Sequence, residues 1–260
     1  MRFSVITVCL NAGEDLLLTV KSTLKQTYYD YEIIIKDAFS KDGSIEQLPK
    51  DERIKVVQSK DTGIYDAMNQ AIELSQGDYL IFMNAGDLFF DEHVLEKIDR
   101  EINLKSSEIY YGKSYCTDLN AYGNCPPYID KYFCYRSMIC HQATVYSRMI
   151  MKRRGYNTEY KVSADRERLM YAVIIEKIQP QYVHTTVSRY KGQGFSESAK
   201  GREMIKTENQ KLLETYYSKK ERIMYAAKYS LTFPHIRRLL IRNKRINLIY
   251  NRLIGLIYRT

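Results

Sequence analysis

The chain opens on Phe3-Ser4-Val5-Ile6-Thr7-Val8-Cys9, where apolar and β-branched side chains occupy both faces of an extended backbone. That is the pattern of a strand buried on both sides. From Glu14 to Gln26 the period changes, and Leu17, Val20 and Leu24 return at helical spacing, predicting an amphipathic helix. Tyr31-Glu32-Ile33-Ile34-Ile35 predicts a second strand that ends at Lys36-Asp37. A turn-like run, Ser40-Lys41-Asp42-Gly43-Ser44, separates it from a short third strand, Ile54-Lys55-Val56-Val57. Ile64, Met68 and Ile72 mark a second helix, which Gly77-Asp78 closes, and Tyr79-Leu80-Ile81-Phe82-Met83 is again fully apolar.

Strand, helix, strand, short strand, helix, strand is the rhythm of an α/β fold with a doubly wound, Rossmann-like, mostly parallel central sheet. Ligands of such sheets collect beyond the carboxyl ends of the strands. Asn11, Asp37, Asp61 and the turn from Asn84 to Asp87 all fall at or just past such ends. Between Ile109 and Tyr190 the pattern is less regular, with a strand-like piece from Tyr110 to Cys116 and a helix beginning near Ala164. No internal repeat or low-complexity linker interrupts the chain.

Charge divides the molecule. Net charge is +9, yet the segment from Lys219 to Thr260 holds eleven Lys/Arg against the single acidic Glu221, leaving the rest near −1. A nucleic-acid-binding domain would spread its basicity over the folded body, so that class is excluded. Within the tail, Ile236, Leu239, Leu240, Ile249, Leu253, Leu256 and Ile257 recur at roughly helical spacing among arginines and lysines, after Pro234. No apolar run reaches the roughly 18–20 residues of a membrane span. The expectation is a basic amphipathic helical appendage on an anionic membrane surface, with a helix packed on the domain as the alternative. The N-terminus lacks the apolar run and cleavage site of a signal peptide. Five cysteines without a CxxC pair suit free thiols in a reducing compartment; zinc held by Cys134, Cys140 and His141 is a weaker reading.

Asp87 follows an apolar strand in a tight glycine turn, where a carboxylate can hold Mg²⁺ or Mn²⁺ against phosphate oxygens. Alone, Gly86-Asp87 also reads as an ordinary turn. Asp61 precedes a helix and can simply cap it. Asp165 begins a helix, where free N–H groups and the dipole keep a carboxylate ionised, either as a base or as a partner of Arg166 or Arg168.

The segments Ser4-Val5-Ile6-Thr7-Val8, Asp37 to Ser44, Asp61 to Asn69, Gly77-Asp78, Asn84 to Asp87, His141-Gln142-Ala143 and Tyr160 to Asp165 together carry a family resemblance. The chain resembles the family 2 inverting glycosyltransferases of GT-A fold that assemble bacterial surface polysaccharides, over roughly residues 3–200. The resemblance implies a nucleotide-sugar-binding half over 1–105, an acceptor half over 106–218, and a tail over 219–260. It implies that Thr7, Asp37 and Asp61 contact the uracil or ribose of a UDP-sugar, with Asn11 and Asn84 beside them. It further implies that Tyr65, Asp66 and Asn69 shape the donor pocket, that His141 and Gln142 reach the diphosphate or acceptor, that Asp87 holds Mn²⁺ or Mg²⁺, and that Asp165 is the general base. The acceptor expected is a lipid-linked saccharide, met by a cytoplasmic enzyme peripheral on the inner membrane face. Two departures stand out: Ala38-Phe39 replaces a glycine-rich turn, and Asn84-Ala85-Gly86-Asp87 keeps one acidic side chain where the motif usually has more. A sugar nucleotidyltransferase would want basic residues in the loop after the first strand, and Asn11-Ala12-Gly13-Glu14-Asp15 has none. A non-catalytic binding protein of the same fold is the remaining alternative.

Overall fold

The computed structural model describes residues 1–231 apart from 124, 193 and 195–197. Four strands, β1 (Phe3–Cys9), β2 (Tyr31–Asp37), β3 (Ile54–Gln58) and β4 (Tyr79–Phe82), pair in parallel in the order β3-β2-β1-β4. Phe3 lies opposite Tyr31 on one side and Tyr79 on the other, so β1 is sandwiched and buried along nearly all its length. The crossovers are α1 (Gly13–Leu24) between β1 and β2 and α2 (Ile64–Leu74) between β3 and β4. All four strands therefore end on the same edge, as the pattern of apolar runs implies.

The second half is mixed. After β5 (Leu88–Phe89) and α3 (Val94–Leu104) come β6 (Ile109–Cys116), the short β7 (Ala121–Tyr122), α4 (Lys131–Arg136), a 3₁₀ turn at His141–Ala143 and β8 (Thr144–Ser147). Then follow α5 (Arg148–Arg153), α6 (Ala164–Ile174), β9 (Gln181–Tyr190), α7 (Ala199–Tyr216) and α8 (Lys219–Ser230). β8 joins the halves, antiparallel to both β4 and β6, and the sheet continues β6-β9-β5 with β7 on β6. One apolar core runs under the sheet, from Phe3, Val5 and Ile33 through Ile81 and Val94 to Val145 and Val187.

Two helix faces differ from the sequence expectation. In α1 the buried positions are Leu16, Thr19, Val20 and Thr23, while Leu17 and Leu24 are only half-buried. Thr19 turns inward because its hydroxyl serves the Asp87 turn, a polar reason that apolar spacing does not register. In α2 Ile64 is 44% exposed, and Tyr65, Met68, Ala71 and Ile72 form the buried face. Gly77 sits where α2 hands over to β4, and a Cβ there would run into the backbone of Phe3 and Ser4.

Two compact units divide the chain at Gln210/Lys211. In the second, Ser218 and Glu221 form a reciprocal capping box at the start of α8. None of α8 is buried, and Ile223 and Met224 are exposed. No helix among the described residues is long and apolar enough to cross a membrane. The apolar and basic positions read from Pro234 onward lie outside the described residues.

Gly77→Ala is expected to lower stability by about 1–3 kcal/mol through forced overpacking against β1. The check is a urea melt whose midpoint falls while its slope stays unchanged.

Candidate active site

At the strand ends the polar residues fall into two groups. The first surrounds Asp37. It is buried, and its carboxylate accepts from the backbone N–H and hydroxyl of Ser40, from Gln58 Nε2 (2.9 Å) and from the Cys9 thiol. Burial alone would raise this carboxyl, but the donors outweigh it and hold Asp37 below the ordinary carboxylate value. Asn11, at φ 51, braces the same turn: its side-chain oxygen accepts from Lys41 N (2.8 Å), and its own N–H donates to Ser40 Oγ (2.8 Å). Phe39 adopts φ 65 in that turn and is 47% exposed. Asp61 pairs with Lys36, a lysine with no exposed side-chain surface that also donates to Ser59 O (2.7 Å). A buried ammonium needs such partners. Asp61 also accepts from Gly63 N (3.2 Å) at the start of α2, whose N-cap is Gly63.

The second group spans both halves of the sheet. The turn after β4 is held by α1: Gly86 N donates to Thr19 Oγ1 (2.9 Å), and Thr19 Oγ1 donates to Asn84 O (3.2 Å). Gly86 has φ 95, a conformation that a side chain would strain. Asp87, 7% exposed, accepts from Asn84 N (3.1 Å) and from Gln142 Nε2 (3.1 Å). One residue earlier, His141 places Nε2 3.1 Å from Asn84 Nδ2 and Nδ1 3.7 Å from Asp165 Oδ2. Asp165 Oδ1 accepts from the Tyr65 hydroxyl (3.0 Å) and from Arg166 N (2.8 Å). The 3₁₀ turn at 141–143 thus touches Asp87 through Gln142 and Asp165 through His141. Beside it lies a cavity of about 430 Å³, with Asp165, His141 and Gln142 on its wall among Met138, Ile139 and Ile205.

Burial dominates the electrostatics of this group. Burial pushes Asp87 up to about 6, against the opposing pull of His141 and Gln142. The Tyr65 hydroxyl is driven well above its ordinary value, first by burial and then by Asp165, so it is a proton donor to that carboxylate throughout the working pH range.

Other expected site residues sit elsewhere. Thr7 is fully buried within β1, and its hydroxyl has no hydrogen-bond partner, so it is enclosed rather than presented at the edge. Asn69 spends its amide on both backbone polar groups of Tyr156 (2.9 and 2.8 Å) and bonds neither group of strand-end residues. Asp66 accepts from Thr62 N (2.8 Å), shaping the loop before α2. Neither the Arg166 nor the Arg168 side chain pairs with Asp165; Arg168 bonds Glu176 (2.9 Å) instead.

Among the described residues no three His, Cys, Asp or Glu side chains cluster as metal ligands, and Cys140 donates its thiol to Gln142. The donors available to a hard cation are the Asp87 carboxylate and the Asn84 side-chain oxygen, which is buried without a hydrogen-bond partner. That pair fits a cation completed by phosphate oxygens and water, not a cage made of protein alone.

The structure is similar to that of Staphylococcus aureus TarS in complex with UDP, with a TM-score of 0.61 at 17% identity over 74% of this chain and 60% of that one. It is also similar to the mannosyltransferase PcManGT of Pyrobaculum calidifontis in complex with GDP-Man and Mn²⁺, with a TM-score of 0.55 at 15% identity over 75% and 58%. The chain spans about three fifths of the length of these structures. Sheet order and likeness define the GT-A fold. In sequence, 195 residues are 28% identical to a PGL/p-HBAD biosynthesis glycosyltransferase of Mycobacterium bovis, covering 72% of this chain and 76% of that protein. Residues 4–163 match the family Glycosyl transferase family 2, and the chain belongs to it.

Sequence reasoning missed Lys36, Thr19 and Tyr65's bond to Asp165. Lys36 carried a signal, a cation inside the run Ile33-Ile34-Ile35-Lys36-Asp37, which demands a carboxylate nearby.

A carboxyl that titrates near 6 when folded and at 3.8 ordinarily binds its proton more tightly in the native state. Its contribution therefore destabilises as pH rises through 4 to 6, by about 3 kcal/mol at neutrality. Asp87→Asn, with the Gln142 amide turned over to accept, should melt several degrees above the wild type in chelator at pH 7.5. The two should converge near pH 4.

Proposed function

We propose that the protein moves a sugar from a nucleotide-sugar donor, with UDP as the nucleotide, onto a hydroxyl of a lipid-linked saccharide, with inversion. The observation that carries this reading is the 141–143 turn, which bonds Asp87 through Gln142 and faces Asp165 with His141 just before it. A displacement needs a base on one side of the anomeric carbon and a stabilised leaving group on the other, at a fixed separation. Asp165 takes the acceptor proton as the acceptor oxygen bonds the anomeric carbon. The bond from that carbon to the diphosphate breaks, and its electron pair leaves with the nucleotide. Asp87 and Asn84 would hold Mn²⁺ or Mg²⁺, which supplies charge neutralisation on the diphosphate when bound. Asp37, Asp61 and Asn11 order the strand ends against the nucleoside. UDP in the TarS structure and GDP-Man with Mn²⁺ in PcManGT support the donor class.

The acceptor reading rests on two further points: the cavity beside Asp165 is lined by Met138, Ile139 and Ile205, and α8 leaves Ile223 and Met224 exposed next to Lys219, Lys220 and Arg222. Apolar and cationic side chains on one helix suit an anionic leaflet, where lipid-linked sugars lie. The chain would then work as a peripheral protein on the cytoplasmic face.

In a panel of UDP-, GDP- and dTDP-sugars with Mn²⁺, one donor is expected to release nucleotide with water as acceptor. Asp165→Asn and Asp87→Ala should each slow that release on the order of 100-fold or more. Full activity in either variant removes its assigned role. Removal of 219–260 should abolish cosedimentation with phosphatidylglycerol vesicles while leaving nucleotide release intact; unchanged sedimentation would refute the membrane reading.

A further inference from the structure

Asp165 stands in the first turn of α6, and the loop that delivers it has an unusual anchor. Ser163, the N-cap of α6, makes no side-chain cap hydrogen bond. The N–H groups just before the helix must find partners elsewhere. They find them in one carboxylate, 45 residues downstream. Glu208 of α7 accepts from Lys161 N through Oε1 (2.6 Å) and from Val162 N (3.2 Å) and Ser163 N (2.9 Å) through Oε2. Three successive amides converge on a single anion, which is a strong and directional grip. The next residue, Asn209, accepts from Arg166 Nη1 (2.7 Å), and Arg166 also donates to the carbonyls of Cys134 and Tyr135 at the end of α4. On the other side of the loop the Tyr65 hydroxyl lies 3.1 Å from Val162 O. Residues 161–166 are thus held before and after Asp165 by α7.

We infer that Glu208 is a positioning residue for the base: its carboxylate fixes the 161–163 amides and so aims Asp165 into the cavity shared with His141. The inference rests on the reading of Asp165 as the base. Nothing in the reaction requires Glu208 to touch substrate, so its removal acts on the geometry of one side chain. A misplacement of about 1 Å in such a group costs on the order of 100-fold in rate. Glutamine at 208 keeps one accepting oxygen and replaces the other by a donor, so it restores the grip in part.

The test is nucleotide release from the active sugar nucleotide of the panel, with Mn²⁺ and water as acceptor, on the full chain. Glu208→Ala should lower kcat on the order of 100-fold, with donor KM and the UDP/Mn²⁺ thermal shift within about twofold of wild type. Glu208→Gln should lie between. If the alanine variant does not fold, Glu208→Gln carries the same comparison. Added to Asp165→Asn, the Glu208 substitution should cost nothing further, because both act through one carboxylate. Wild-type kcat in a folded Glu208→Ala or Glu208→Gln, or a loss that multiplies with that of Asp165→Asn, overturns the positioning role. An active Asp165→Asn overturns the base itself, which is a separate failure.

Discussion

A single hydrogen bond, from the Tyr65 hydroxyl to the Asp165 carboxylate, ties residues a hundred positions apart. Tyr65 belongs to the crossover helix of the parallel half, and Asp165 to a helix after the mixed half. Both groups are buried and polar, so each gains from a hydrogen-bond partner there, and this bond joins the Arg166 N–H in satisfying Asp165. Tyr65 must therefore point inward, which rotates α2 and leaves Ile64 in solvent. The same rotation brings the start of α2 beside Asp61 and thence to buried Lys36. The two halves of the site are thus tied by a polar contact across the sheet edge, in addition to the β4-β8-β6 pairing and the core they share.

That constraint explains what was legible in the chain and what was not. The parallel half was readable because its strands are covered on both faces and its residues announce this as unbroken apolar runs; β1, β2 and β4 begin and end within a residue or so of the pattern. The second half resists because its elements are half polar. β9 buries Val183, Thr185, Val187 and Ser188 among exposed or half-exposed neighbours, and β8 is only four residues long. The α1 and α2 faces were misjudged for the same reason in both cases. Thr19 and Tyr65 are buried for their hydroxyls, and a count of apolar positions is blind to hydroxyl partners. Among site residues, those lying beyond apolar strands could be placed from sequence. The partners that complete them, Gln142 for Asp87 and Lys36 for Asp61, come from elsewhere in the chain, and only topology brings them in.

The 141–143 turn is where side chains of the second half reach the Asp87 turn. It follows directly from the placement of β8, which is hydrogen-bonded to β4 on one side and β6 on the other. Whatever precedes β8 is forced into the space between the Asp87 turn and α6. A histidine followed by a glutamine there gives one side chain to each carboxylate. A three-residue helix has too few internal bonds to be rigid by itself. Its stiffness is borrowed: Thr144 Oγ1 donates to Cys140 O (2.8 Å), and the Cys140 thiol to Gln142 Oε1 (2.6 Å). The separation between the two acidic groups is thereby set by sheet pairing rather than by loop conformation.

The one-acid motif at Asn84–Asp87 follows from the same packing. Asp87 is nearly enclosed, with both carboxylate oxygens accepting from protein donors, and burial already pushes its proton affinity up. A second carboxylate at position 84 would face the first at close range in a site with little water, and mutual repulsion would raise both further. Asparagine there keeps an oxygen donor without the charge. The cost is a site too weakly anionic to hold a divalent ion unaided, since such ions prefer several hard oxygens. In the reading proposed for this chain the missing negative charge arrives with the donor's diphosphate. Cation and nucleotide sugar then bind as one unit, and the ionised Asp87, which burial disfavours in the free protein, gains its counter-charge in that complex.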